Sequence, residues 1–312
     1  MRIGINTNAS AGGGRPASLE QMIEQVTRLE AMGFATAAFA QISGMDVLSV
    51  IALAGQKAER IEFETAVVPI FGRHPIALAQ QALTVQAAVK GRLVLGLGLS
   101  HKPVVENRWG LSFERPAEYM QEYLNVLLPL LRGEAVSYEG RRLKVNSQIT
   151  VADNNAPSVV LAALGERMLR IAGELTDGTA LWMVGPKTLE SHIAPVIRQA
   201  ASAAGKPAPR IFAGLPICVT DDPASVRARA ARSLANYGQL PSYRAMLDRE
   251  GADGPADVML AGSESEVERQ LARLEEAGAT DFTASPMGSS DDQRRTMQFL
   301  QTQMAYGRGA PV

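Results

Sequence analysis

The sequence is short of the residues that staple or metallate a fold. It has one cysteine, Cys218, and three histidines, His74, His101 and His192. A single cysteine excludes an intrachain disulfide, and no Cys/His cluster stands at zinc-like spacing, so a reducing, cytoplasmic compartment and a metal-free site are expected. Charge of one sign is lacking too. The 31 Lys+Arg against 32 Asp+Glu leave a net charge of -1, without the broad footprint that nucleic acid or anionic membranes require. There is no uncharged apolar stretch of about 18 residues, and the start reads as a strand rather than as a basic leader with an apolar core. Neither membrane insertion nor export is expected.

With 46% hydrophobic and 20% charged residues the chain has enough apolar surface to be globular. Its 312 residues suit one α/β barrel with insertions. Short apolar runs alternate with helical patterns, as parallel strands joined by crossover helices require. The strands are read at Arg2–Thr7, Thr36–Ala40, Ile61–Val68, Arg92–Leu97, Ser158–Ala163, Thr179–Val184, Arg210–Thr220 and Asp281–Ser285. Ser18 with Gln21 forms a capping box ahead of Met22, Val26 and Leu29, and further helices are read at 167–174, 187–203 and 263–277. After strand four the rhythm breaks. Residues 99–155 read as an insertion over the barrel mouth, with a helix around Ala117–Leu131 and a hairpin-like stretch Val136–Thr150, while 221–258 is polar and helical. The pattern predicts a (β/α)8 TIM barrel ahead of a doubly wound sheet, one domain over 1–312, with function at the C-terminal strand ends.

Local motifs give little chemistry. Gly96-Leu97-Gly98 lacks the third glycine of a dinucleotide fingerprint, since His101 stands in its place, and it reads as relief of crowding at a strand end. Gly12-Gly13-Gly14 lacks the ending of a phosphate loop and reads as a flexible lid. Ala162-Ala163-Leu164-Gly165 before a helix start is a candidate anion site or an ordinary turn, with Lys187 a candidate charge from the next strand end. His101 follows strand four, where an imidazole serves proton transfer or simply belongs to a loop; His74 precedes Pro75 and reads as a cap. No Gly-x-Ser-x-Gly elbow occurs and paired carboxylates are scarce at the predicted mouth, which points to a borrowed cofactor.

The run Thr65-Ala66-Val67-Val68-Pro69-Ile70-Phe71-Gly72-Arg73-His74-Pro75, then Gly91–Gly98, Glu118-Tyr119, Leu130–Glu134, Ala172–Gly178 and Leu274–Gly278, resembles the bacterial luciferase-like superfamily of flavin- and deazaflavin-dependent barrels. Ala162–Gly165 followed by Met168-Leu169-Arg170 is similar to the branch that uses the deazaflavin coenzyme F-420; FMN fills a similar cradle in sister enzymes. The resemblance implies a bulge at the end of strand three, often with a non-prolyl cis peptide, here Ala66-Val67. It implies cofactor contacts from Gln41, Ala66, Val67, Val68 and Gly98, and from Ala162, Ala163, Leu164, Gly165 and Lys187. His101 is then the catalytic candidate, a small organic molecule the substrate, hydride transfer the reaction and a homodimer the assembly. Two departures stand out. The Asp-His pair that ends strand two in sugar-phosphate and alcohol dehydrogenases of the branch is Gln41-Ile42 here, and a glutamate of the sugar-phosphate enzymes is His101. The substrate therefore does not carry over. The rivals are an FMN-dependent monooxygenase, a degenerate flavin-binding barrel and, more distantly, a Schiff-base aldolase, for which no lysine sits in an apolar strand end.

Overall fold

The computed structural model describes residues 1–7, 10–11, 15–152 and 155–305. The principal strands are β1 (Arg2–Asn6), β2 (Thr36–Phe39), β3 (Glu62–Thr65), β4 (Leu93–Gly98), β5 (Ser158–Leu161), β6 (Gly178–Trp182), β7 (Arg210–Val219) and β8 (Asp281–Pro286). The helices that concern the site are α1 (Leu19–Ala31), α2 (Val47–Ala54), α3 (Pro75–Ala88), α4 (Pro116–Leu131), α5 (Glu166–Leu175) and α6 (Ala194–Ala203). Later in the chain come α7 (Pro223–Ser233), α8 (Ala235–Gln239), α9 (Pro241–Glu250), α10 (Glu264–Glu276) and α11 (Ser290–Ala305). This is the β/α alternation expected of the sequence.

The chain divides into two compact units. The first comprises Met1–Asn6, Leu29–Ala38 and Ala163–Val312. Its strands pair in parallel in the order β6-β7-β8-β1-β2. Gly4 of β1 must be glycine, because a Cβ there would lie 2.7 Å from Cβ of Thr36. Arg210 and Asp281 meet at 2.7 Å where β7 and β8 begin, and the guanidinium lies 4.4 Å from the centre of the Phe212 ring. Ion pairing is thus placed at strand starts, the end of such a sheet that serves stability.

The second unit comprises Thr7–Arg28 and Phe39–Ala162. β4 pairs in parallel with both β3 and β5, and every residue of β4 is buried, as a strand covered on both faces must be. The Ser18–Gln21 capping box forms as read from the sequence, with N–H donors at 2.8 and 3.3 Å. The single strand expected over Ile61–Val68 is instead broken: β3 stops at Thr65, and Val68–Pro69 pairs separately with β4. Residues 99–155 hold a π-helical turn Val104–Arg108, α4, and the hairpin Val136–Glu139/Lys144–Ser147. α4 packs against α3, and the Tyr123 hydroxyl donates to the Arg73 carbonyl at 3.0 Å.

Candidate active site

The second unit builds its strand ends around Thr65. Its hydroxyl accepts from the Gly96 N–H and donates to the Gly96 carbonyl, both at 2.8 Å, so one side chain replaces the ladder where β3 leaves β4. Gly96 is obligatory there: a Cβ would fall 1.9 Å from the Thr65 carbonyl oxygen. The Ala66-Val67 bond is cis, as the resemblance implied. The Ala66 N–H donates to the Phe39 carbonyl at 2.7 Å. Gly98 makes room for Val67, whose Cγ2 would stand 2.5 Å from any Cβ at that position. Both glycines therefore relieve crowding, and Val68 is buried behind them. The Ala162 N–H donates to the Leu97 carbonyl at 2.8 Å.

Gln41 and His101 stand in the loops beyond these strands. The Gln41 Oε1 accepts from the Val47 N–H at 2.9 Å and so fixes the entry to α2. Asp46 caps the same helix through the Ser49 N–H at 2.9 Å, and Arg73 donates to its other oxygen at 2.5 Å. Burial works to raise the Asp46 carboxyl, but the Arg73 and Ser49 donors outweigh it and hold the group below its ordinary value. His101 is half-buried, and its carbonyl accepts from the Val104 and Val105 N–H groups at 2.9 and 3.0 Å. Burial lowers the imidazole from its ordinary value. His74 is a cap, as expected: its Nδ1 accepts from the Ile76 N–H at 3.3 Å. The Gly12–Gly14 lid lies outside the described residues.

The first unit supplies the turn Ala163-Leu164-Gly165 ahead of α5. Gly165 is the N-cap, no side chain caps the first turn, and a Cβ on Gly165 would meet nothing within 4 Å. The N-terminal N–H groups of such a turn, open on one side, suit an anionic group. Its carbonyl is held from behind. His192 Nε2 lies 2.9 Å from the Leu164 carbonyl, where a ring N–H donates. The π-helical turn Leu189–Ile193 ahead of α6 carries this histidine, and α6 approaches α5 closely enough that a Cβ on Gly173 would stand 2.5 Å from the Ile197 carbonyl. Sequence reasoning missed His192, because a π-helical turn leaves no mark in the periodicity that defines the surrounding helix.

Lys187 is committed elsewhere in the same unit. The Glu250 carboxylate accepts from the Lys187 and Thr188 N–H groups at 3.1 and 2.7 Å, and the Lys187 ammonium donates to the Glu250 carbonyl at 3.4 Å. An internal carboxylate thus caps the turn at Pro186–Thr188. Among the described residues, the buried polar atoms without a hydrogen-bond partner include Trp182 Nε1 on β6 and Ser285 Oγ on β8. An open anion turn and, in the same unit, orphaned polar atoms on two strands fit a cofactor carrying both phosphate and polar rings, a description met by F-420 and FMN alike. Among the described residues no group of three His, Cys, Asp or Glu is placed to hold a metal, and no helix is long and apolar enough to cross a membrane.

Comparison with known proteins agrees. The family model described as luciferase-like monooxygenase matches residues 1–296. A Mycobacterium tuberculosis protein provisionally named a coenzyme F-420-dependent oxidoreductase is 31% identical over 173 residues, 50% of this chain and 49% of that protein. The F-420-dependent tetrahydromethanopterin reductase of Methanopyrus kandleri superposes with a TM-score of 0.78 at 20% identity, covering 96% of this chain and 97% of that one. The oxygenating constituent of 3,6-diketocamphane monooxygenase from Pseudomonas putida, solved with FMN, superposes with a TM-score of 0.75 at 18% identity, covering 97% and 96%. The fold is the (β/α)8 TIM barrel of these structures.

Proposed function

Because the chain belongs to the luciferase-like monooxygenase family, we propose that it is a cytoplasmic oxidoreductase that binds coenzyme F-420 and passes hydride between the cofactor and a small organic substrate. The observation that carries this reading is the open turn at Gly165, with the Leu164 carbonyl turned away to His192. Such a turn takes a phosphate through backbone N–H groups and needs no basic side chain, which agrees with Lys187 being engaged by Glu250. When bound, the cofactor supplies the hydride chemistry that the side chains lack. The protein's nucleophile inventory points the same way. Burial first, then the Asp292 carboxylate, push the Cys218 thiol up to about 11, so it is a neutral core group at physiological pH.

F-420 is favoured over FMN by the name of the Mycobacterium tuberculosis relative and by the Ala162–Gly165 run. An FMN-dependent monooxygenase is the second reading, favoured by the likeness to the FMN-bound oxygenase. Gly165→Pro tests the site. It removes one N–H donor, and the loss of a charge-assisted bond of about 1.5–3 kcal/mol corresponds to roughly 10- to 100-fold weaker cofactor binding. The control is Gln301→Ala, exposed near the end of α11. Equal affinities in two folded variants would remove the phosphate from this turn. The homodimer is also proposed, through Ile42, Met45 and Leu53, which are 62%, 45% and 46% exposed on and before α2. Leu53→Asp should then halve the mass seen by light scattering, and an unchanged mass would place the interface elsewhere.

A further inference from the structure

Trp182 ends β6 opposite Gly214 of β7, and how it lies decides which edge of the indole remains available. A Cβ on Gly214 would stand 3.1 Å from Cε3 and 3.7 Å from Cζ3, so the benzo edge rests on β7 where a side chain is missing. The pyrrole edge carries the buried Nε1–H that has no hydrogen-bond partner. Leaving a buried donor unmade is costly, and folded proteins rarely accept that without a use for it. Beside it stands Tyr237, with ring centroids 6.2 Å apart at 64°, and beyond that Tyr243, at 5.1 Å and 78°. Burial raises the Tyr237 phenol above its ordinary value, with the nearby Trp182 indole opposing; burial and then the Tyr237 charge raise Tyr243. The Tyr237 hydroxyl faces the indole N–H closely enough for it to act on the phenol as a donor, although the pair falls short of hydrogen-bond geometry.

The cover over the indole is slight. Tyr237 belongs to α8, a helix of five residues of which none is buried. A segment with so little apolar anchorage moves at small cost, and a ligand oxygen entering beneath it would meet the indole N–H and the phenol O–H together. Both donors are neutral. They suit a neutral acceptor oxygen and give a carboxylate no compensating charge. The flat rings around them suit an apolar or unsaturated body.

We propose that Trp182 and Tyr237 are the specificity-determining pair, reading the carbonyl oxygen of a ketone, aldehyde or enone whose carbon skeleton packs among the Trp182, Tyr237 and Tyr243 rings. This rests on the hydride-transfer reading for its chemistry, since a carbonyl compound is what a hydride donor reduces, but recognition itself needs no cofactor.

The chain holds two tryptophans, Trp109 and Trp182, so Trp109→Phe leaves one indole N–H resonance. Titrating that protein, labelled with 15N-tryptophan and free of cofactor, with cyclohexenone should move the resonance downfield along a saturable curve. Cyclohexene, which lacks the oxygen, should leave it in place. Tyr237→Phe, which keeps the ring, should weaken cyclohexenone about fivefold, the worth of one neutral hydrogen bond near 1 kcal/mol. An unmoved resonance, equal shifts with both compounds, or unchanged affinity in Tyr237→Phe would overturn the proposal. The same sample titrated with F-420 separates the two claims. Ketone binding without F-420 binding removes the deazaflavin reading and leaves the pair standing, whereas F-420 binding with no ketone response does the reverse.

Discussion

His101 is the residue to which we assign proton transfer, and its burial sets its charge. Burial lowers its imidazole, so at neutral pH the ring is uncharged and the imidazolium that donates a proton grows in only below about pH 6.5. If it protonates the product of hydride delivery, turnover rises as pH falls through its lowered value. His101→Ala should then cost roughly 100-fold in turnover and abolish that limb, with F-420 affinity unchanged. Wild-type turnover by this variant from pH 5 to 9 would assign the proton to water. Stability follows the same sign. The unfolded chain binds this proton first, so the contribution of neutral His101 is whole above about pH 6.5 and is lost as pH falls toward the folded value; His101→Gln should flatten that part of the urea profile. At this scale the sequence was partly readable. His74 as a cap followed from its place before Pro75, and His101 stood out after an apolar strand. His192 and Glu250 did not, because each acts on a backbone far along the chain.

Among elements, the break after β3 is the most informative. Thr65 is buried, and its hydroxyl serves both polar groups of Gly96. Thr65→Val should therefore cost about 1–3 kcal/mol, seen as a lower urea midpoint with unchanged slope. Gly96→Ala should cost more, since its Cβ would strike backbone. A Thr65→Val protein as stable as the parent would show that the hydroxyl is not what closes the strand. The periodicity of Ile61–Val68 gave no sign of this break, because hydrophobicity does not report a side chain taking the place of a ladder bond; the family resemblance alone pointed to it, at Ala66-Val67. α2 was also missed. Its residues are apolar nearly all round, with Val47, Leu48, Val50, Ile51 and Ala54 buried, so it lacks the one-sided stripe that marks a surface helix. Asp46, the N-cap, was its only local sign. The segment Leu260–Gly262, paired with β7, is too short to register as a strand.

For the whole molecule, the repeated order of buried strand and helix was legible because parallel strands must be apolar on both faces. That alternation fixes where a site belongs, at the C-terminal strand ends, but leaves its occupant open. F-420-dependent and FMN-bound enzymes both stand among the proteins this chain resembles, and the proposed phosphate site at Gly165 would suit either cofactor. The most direct measurement is a side-by-side titration of the pure protein with F-420 and FMN, followed by absorbance and melting temperature. Saturable F-420 binding tighter than FMN, with a larger rise in melting temperature, is the predicted result. FMN binding the more tightly, or neither cofactor binding, would contradict the account.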